Sequence, residues 1–156
     1  MMKITSAMIV TLLVLSAHLL VCLCCDDAWS EYNGHCYYYE EEEMNFVDAQ
    51  CACKANDAYL VKLDDQAESD FVTGIISENT WIGTRRALVD CGCAKWFMIP
   101  DLTVVPFTNW SPDEPNNSGG TENCVEIWTK DYLWNDRACN HEKKSVCEKK
   151  KLITEA

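Results

Sequence analysis

The chain has 156 residues, a net charge of −12, an apolar fraction of 48% and six tryptophans. That apolar and aromatic content excludes a disordered polymer, and the length suits one domain with its own core. The acidic balance excludes electrostatic capture of nucleic acid or of an anionic membrane face.

The chain opens "MMKITSAMIVTLLVLSAHLLVCLCCDDAW". Lys3 is the one charge before an apolar run from Ile4 to about Cys25, the form of a secretory signal peptide. The run is also long enough for a signal anchor, which needs roughly 17–25 residues. Asp26 and Trp29 follow at once and leave no stalk, so the expectation is a cleaved leader over 1–24, a secreted, extracellular product and no membrane insertion after cleavage. Eleven cysteines in such a chain point to a disulfide framework. The one-residue gaps of "CAC" (51–53) and "CGC" (91–93) fit structural zinc poorly.

Asn33-Gly34 reads as a turn, followed by an aromatic strand over Cys36–Tyr39. Glu40–Glu43 are expected to lead into a helix N-terminus, where negative charge is favourable, with Phe46, Ala49 and Cys53 at helical spacing behind them. A second helix is expected from an Asp64 N-cap, with Ala67, Phe71 and Ile75 on one face and Gly74 near its end. Trp81–Gly83 reads as a strand fragment. From Arg85 to Trp110 the period is lost, so this stretch reads as irregular. "CVEIW" (124–128), "YLWND" (132–136) and "SVCEK" (145–149) read as strands before a short polar tail over 150–156. Trp81, Trp96, Trp110 and Trp134 sit beside strand fragments and read as core or loop anchors. The whole is one mixed domain over 25–149, with helices early, strands late and a long irregular region between.

The segment "SPDEPNNSGGTENC", Ser111–Cys124, interrupts helix and strand alike with its prolines and glycines. Around it stand five oxygen donors: Glu114, Asn116, Glu122, Asn135 and Asp136. Carboxylates and amides without sulfur or imidazole are the ligand chemistry of a hard cation, and mixed oxygens with room for variable geometry favour Ca²⁺. An affinity of about 10⁻⁴–10⁻³ M would suffice outside the cell.

"EPN" at 114–116, "ENCVE" at 122–126 and "WND" at 134–136 together resemble the primary calcium and sugar site of the C-type lectin domain. "CDDAWSEYNGHCY" resembles that family's N-terminal hairpin, "FVDAQCAC" its first helix and "WIG" its central strand. The resemblance implies an α+β double-loop fold of two helices and small antiparallel sheets, with a long loop stapled by disulfides and calcium. It implies the bridges Cys25–Cys36, Cys53–Cys147 and Cys124–Cys139, and a cis peptide before Pro115. It also implies a Ca²⁺ site and a carbohydrate site sharing Glu114, Asn116, Glu122, Asn135 and Asp136. In such lectins two vicinal hydroxyls complete the ion's oxygen shell. Each donates to a carboxylate, which can only accept, and accepts from an amide N–H. "EPN" rather than "QPD" is associated with mannose-type ligands: mannose, fucose and N-acetylglucosamine.

The sequence departs from that pattern in places. Arg86 falls where an acid of the auxiliary calcium site is expected, Asn117 and Asn123 are amides, and only Asp90 remains acidic there, so that second site is expected to be absent or weak. Cys51, Cys91 and Cys93 lie outside the implied bridges, and an odd thiol leaves a disulfide-linked or non-covalent oligomer open. Asn109 and Asn116 both begin glycosylation sequons. The rival reading is a lectin-like module that binds a protein or a surface without sugar. An enzyme is not expected: His35 and His141 sit near no nucleophile elbow or metal-hydrolase spacing.

Overall fold

Asn33 and Gly34 both take positive φ, 45° and 79°, as a two-residue hairpin turn requires. They join β1 (Ser30–Tyr32) to β2 (His35–Met44), with Tyr32 opposite His35. The structure, a computed structural model, describes residues 25–89, 93–99 and 101–152. The expected leader, Asp90, Cys91 and the last four residues lie outside these.

Glu40–Glu43 do not lead into a helix as expected; they continue β2. The last strand supplies a ladder as far as Met44, opposite Lys143, and that non-local pairing decides their conformation. The helix begins one residue later. Asn45 is its N-cap, its side-chain oxygen accepting the N–H groups of Val47 and Asp48 at 3.0 Å each. This α1 (Phe46–Ala55) buries Phe46, Ala49 and Cys53, the expected face.

After β3 (Tyr59–Leu60) comes α2 (Gln66–Thr73). Its N-cap is Asp65, not Asp64: the Asp65 carboxylate accepts from Glu68 N at 2.9 Å, while the Asp64 N–H donates to the Glu68 side chain at 2.8 Å. The buried face also differs from the expected one. Glu68, Ser69 and Val72 are buried, whereas Ala67 is exposed. Phe71 is half-buried, stacked on Tyr32 at 4.6 Å and edge-on to Tyr37 at 5.0 Å. Gly74 ends the helix as expected.

The expected fragment Trp81–Gly83 is the centre of β4 (Thr80–Leu88), which pairs with β5 (Ala94–Met98). The reading of 85–110 as irregular is therefore corrected over these two strands. Their order comes from cross-strand pairing, such as Arg86 with Trp96, which leaves no local period. Gly83 has a packing reason: a Cβ there would lie 2.3 Å from the Leu60 carbonyl oxygen. Its N–H donates to Val61 O at 2.8 Å.

The remaining strands are β6 (Glu122–Trp128), β7 (Leu133–Ala138) and β8 (Lys143–Lys150). Tyr132, expected in β7, is instead exposed at φ 60° in the turn before it. β8 outruns its expected end. Lys151 N–H donates to Gly34 O at 2.9 Å, and Lys151 Nζ stands 2.7 Å from Glu31, so the polar tail begins later than 150.

Strands run in the order β1-β2-β8-β4-β6-β7, with β3 added on β8 and β5 on β4. All pairs are antiparallel except β4 with β8. That parallel pair sets the central strand beside β8, while β2 on the other side of β8 brings the early hairpin into the same sheet. Buried Tyr37, Leu63, Val72, Ile82, Ile127 and Trp134 form one core cluster. Phe46 and Trp81 meet edge-to-face at 5.5 Å in another. Among the described residues three disulfides close the frame, Cys25–Cys36, Cys53–Cys147 and Cys124–Cys139, the pairings the resemblance implies. The second spans 94 residues.

The long loop is held at both ends. Lys62 Nζ lies 2.8 Å from Asp101 and, by that hydrogen bond above all, lowers the Asp101 carboxyl to about 2. Further on, Trp134 N–H donates to Asn109 O at 2.7 Å and Ser111 N–H to Trp134 O at 2.9 Å. Trp110 packs between Trp96 at 4.9 Å and Trp134 at 5.5 Å. The tryptophans are anchors, as read. They fix the segment that begins at Ser111.

Candidate functional site

Two β-strands and one loop build the site. β6 begins with Glu122, β7 carries Asn135 and Asp136 in its centre, and the loop from Ser111 supplies Glu114 and Asn116. The Glu114–Pro115 peptide is cis. Two left-handed residues, Asp113 at φ 70° and Asn117 at φ 49°, bracket it, and short polar side chains tolerate that backbone best. A 3-10 turn over Ser118–Gly120 then returns the chain to β6.

Three consecutive backbone N–H groups of this turn face three carboxylates. Asn116 N–H is shared between Glu114 and Asp136, at 3.0 Å to each. Asn117 N–H donates to the other Asp136 oxygen at 2.9 Å. Ser118 N–H donates to Glu122 at 2.8 Å. Asp136 is fully buried and Glu122 nearly so, whereas Asn116 is exposed. Burial first, and then the adjacent Asp136 carboxylate with Glu122 adding to it, holds the Glu114 carboxyl above the usual glutamate range.

Glu114, Asn116, Glu122 and Asp136 are thus brought together. Asn116 also donates its side-chain N–H to Glu114 at 2.8 Å, so that pair is pre-assembled. Asn135 is tied elsewhere: its Nδ2 donates to Glu126 Oε1 at 2.9 Å. That bond leaves Oδ1 as the amide's remaining acceptor.

Sequence reasoning missed two supporting residues. Glu126, directly across the ladder from Asn135, is 2% exposed and stands 3.3 Å from Lys143 Nζ. An acid in the middle of the apolar run "CVEIW" was the available signal. Asn117 is the other, its Oδ1 accepting the Glu122 N–H at 3.1 Å and so closing the turn onto β6.

The residues fit a hard divalent cation by their chemistry. Three carboxylates crowd one turn, and the nearest cationic side chain among the described ion pairs there is Arg137, 4.0 Å from Glu122. Among the described residues, however, no three carboxylate, imidazole or thiol groups converge to hold an ion unaided. Amide oxygens, such as those of Asn116 and Asn135, would have to complete the shell.

Residues 42–149 match the family described as Lectin C-type domain. The mouse C-type mannose receptor 2 is 36% identical over 129 residues, covering 80% of this chain but only 8% of the receptor. Among solved structures, the cow C-type carbohydrate-recognition domain of CD23, in the presence of a GlcNAc2Man3 oligosaccharide, superposes with a TM-score of 0.74 at 31% identity. That match covers 83% of this chain and 98% of the other. A calcium-independent type II antifreeze protein is nearly as similar in shape, with a TM-score of 0.73 at 25% identity over 83% of this chain and 96% of its own.

Proposed function

Because the chain belongs to the C-type lectin domain family, we propose that it is a secreted, extracellular lectin that binds mannose-type sugars through calcium. The lectin domain runs over 25–149, behind a leader at 1–24. The observation that carries the reading is the crowding of Glu114, Glu122 and Asp136 around one turn, with the Glu114 carboxyl raised by burial and by its acidic neighbours. A cluster of this kind gains from a divalent cation.

Glu114, Asn116, Glu122, Asn135 and Asp136 would hold the ion. Bound there, Ca²⁺ supplies open oxygen-coordinating positions for two vicinal hydroxyls. The side chains do the reading. Glu114 and Glu122 accept hydrogen bonds from the hydroxyls, while the amide N–H groups of Asn116 and Asn135 donate to hydroxyl oxygens. Glu126 acts as a positioning residue, holding the Asn135 amide in one orientation. The order acid then amide in "EPN" favours mannose-type over galactose-type hydroxyl geometry, because exchanging the two reverses one donor–acceptor pair. Asn116 is left unglycosylated in this reading, since a glycan there would remove its amide from the site.

A second reading is that the domain binds a protein or a surface without sugar. It is supported by the turn itself, whose carboxylates already find backbone N–H partners, and by the likeness to a calcium-independent antifreeze protein. Retention of the secreted protein on mannose and galactose resins separates the two. The lectin reading expects retention on mannose in calcium and release by chelator. Retention on neither resin, or on mannose regardless of chelator, overturns it.

A further inference from the structure

Glu126 is an acid with the burial of a core residue. It is 2% exposed in the interior of β6, with Trp81 across the ladder on one side and Asn135 on the other. A carboxylate so placed needs partners, because a buried charge left uncompensated is costly. Its Oε1 accepts from Asn135 Nδ2 at 2.9 Å, but Oε2 has no hydrogen-bond partner among the described residues. Trp81 does not supply one, since its indole N–H donates to Met44 O at 3.0 Å. What meets Oε2 is the Lys143 ammonium, 3.3 Å away, at the start of β8.

Lys143 also lines a surface hollow of about 270 Å³ with Glu43, Glu78, Asn79 and Thr129. Glu78 is held there by Lys144 at 2.6 Å, which leaves the Lys143 ammonium to Glu126. The buried acid is thus linked outwards to the hollow through Lys143 and across the ladder to Asn135.

We infer that Lys143 is a positioning residue of the sugar site, acting through Glu126 on the orientation of the Asn135 amide. The role rests on the lectin reading, in which Asn135 is a calcium ligand. A carboxylate only accepts, so the amide can face Glu126 with Nδ2 but not with Oδ1. That fixes the flip of the amide. Oδ1 is kept for the ion, and of the two Nδ2 hydrogens one is left for a sugar hydroxyl. Without the ammonium, the buried carboxylate gains by turning towards water in the hollow, and Asn135 loses the acceptor that orients it. Partners of this kind behind a metal ligand are worth roughly 10–100-fold in metal affinity.

Charge alone and positioning predict opposite signs. Lys143→Met removes a positive charge near a proposed cation site, so through-space electrostatics by itself would tighten calcium binding. Loss of positioning weakens it. Calorimetric calcium titration of the full secreted protein is expected to show Lys143→Met binding roughly tenfold more weakly than the original, with affinity restored in Lys143→Arg, which keeps the cation. A second readout starts from the unaltered protein and needs no variant to fold. In its calcium-free form, one Asn135 Nδ2 proton is expected to be shifted downfield in the NMR spectrum by the Glu126 carboxylate, and to return to the ordinary amide range in Lys143→Met. Calcium binding by Lys143→Met that is as tight as the original, or tighter, overturns the positioning role and leaves the lectin reading standing. Two ordinary Asn135 side-chain proton shifts in the unaltered protein do the same. An unaltered protein that binds no calcium overturns both.

Discussion

Two acid clusters in this chain handle their charge in opposite ways. At the loop, Glu114, Glu122 and Asp136 are met by backbone N–H groups of residues 116–118. Between β8 and α2, Glu68 and Glu148 are met by side chains and backbone N–H groups from several elements. Tyr37 OH donates to Glu68 at 2.6 Å, Tyr59 OH to Glu148 at 2.8 Å, and Lys62 N–H to the other Glu148 oxygen at 2.9 Å, with His35 also paired to Glu148. Burial drives the Tyr37 and Tyr59 hydroxyls far above the ordinary tyrosine range, with Glu68 and Glu148 adding to it, so both phenols stay protonated donors. The inner cluster is bound into the fold by partners scattered from 35 to 148. The loop cluster is bound largely by the backbone of one short turn, so in the lectin reading its acids are the ones available to an ion.

That contrast is most sharply tested by truncating Glu148, which is 1% exposed. Glu148→Ala strands the Tyr59 hydroxyl and the Lys62 N–H and leaves a cavity, so a loss of roughly 3–5 kcal/mol in unfolding free energy is expected by denaturant titration. A change below about 1 kcal/mol would mean that the inner cluster is no more structural than the loop.

The loop predicts the converse. Glu122→Gln keeps the size and an acceptor oxygen but removes a charge from the proposed ion site. Calcium affinity is expected to fall by more than about 100-fold, beyond the loss typical of an outer-shell change, while the calcium-free protein unfolds within about 1 kcal/mol of the original. Calorimetric calcium titration and denaturant melts read the two separately. Equal damage to both would erase the distinction drawn between the clusters.

How much of this was legible beforehand follows the same divide. The loop residues announced themselves because Pro, Gly, Asn and Glu in one short segment have few structural uses. Glu114, Asn116, Glu122 and Asp136 do meet around one turn. The fold was legible where local signals act, as in the Asn33-Gly34 turn and the Phe46–Ala49–Cys53 face. It was not legible where partners are distant. Glu40–Glu43 became strand because β8 lies beside them, and β5 exists because β4 does. Glu68 and Glu148 carried no signal of their role, since nothing near them in sequence names Tyr37 or Tyr59 as a partner. The one-residue error at Asp64 shows the scale at which local reasoning fails: adjacent aspartates are equivalent caps until Glu68 claims one N–H.

A pH series sharpens the comparison from the inner side. Burial raises the Glu68 carboxyl above its ordinary value, so the folded state binds that proton more tightly than the unfolded chain does. The stability it contributes is therefore fully present below the unfolded value of about 4.3 and is lost as pH rises through the raised folded value. In chelator, the melting temperature of the unaltered protein is expected to fall relative to Glu68→Gln across that window. Parallel curves would show that Glu68 is not the group responsible.

The smallest effect asks how Glu68 reaches its place. Asp65 caps α2 by accepting the Glu68 N–H at 2.9 Å, one residue before the helix that delivers Glu68 to Tyr37. Asp65→Ala removes that cap and is expected to cost about 1 kcal/mol, or roughly 3 °C in melting temperature for a chain of this size. Chelator-sensitive retention on mannose resin should be unchanged, because the loop cluster shares no hydrogen bond with α2. If retention fell with stability, the two clusters would be coupled through the sheet, and the loop could not be treated as the independently adjustable part of the molecule.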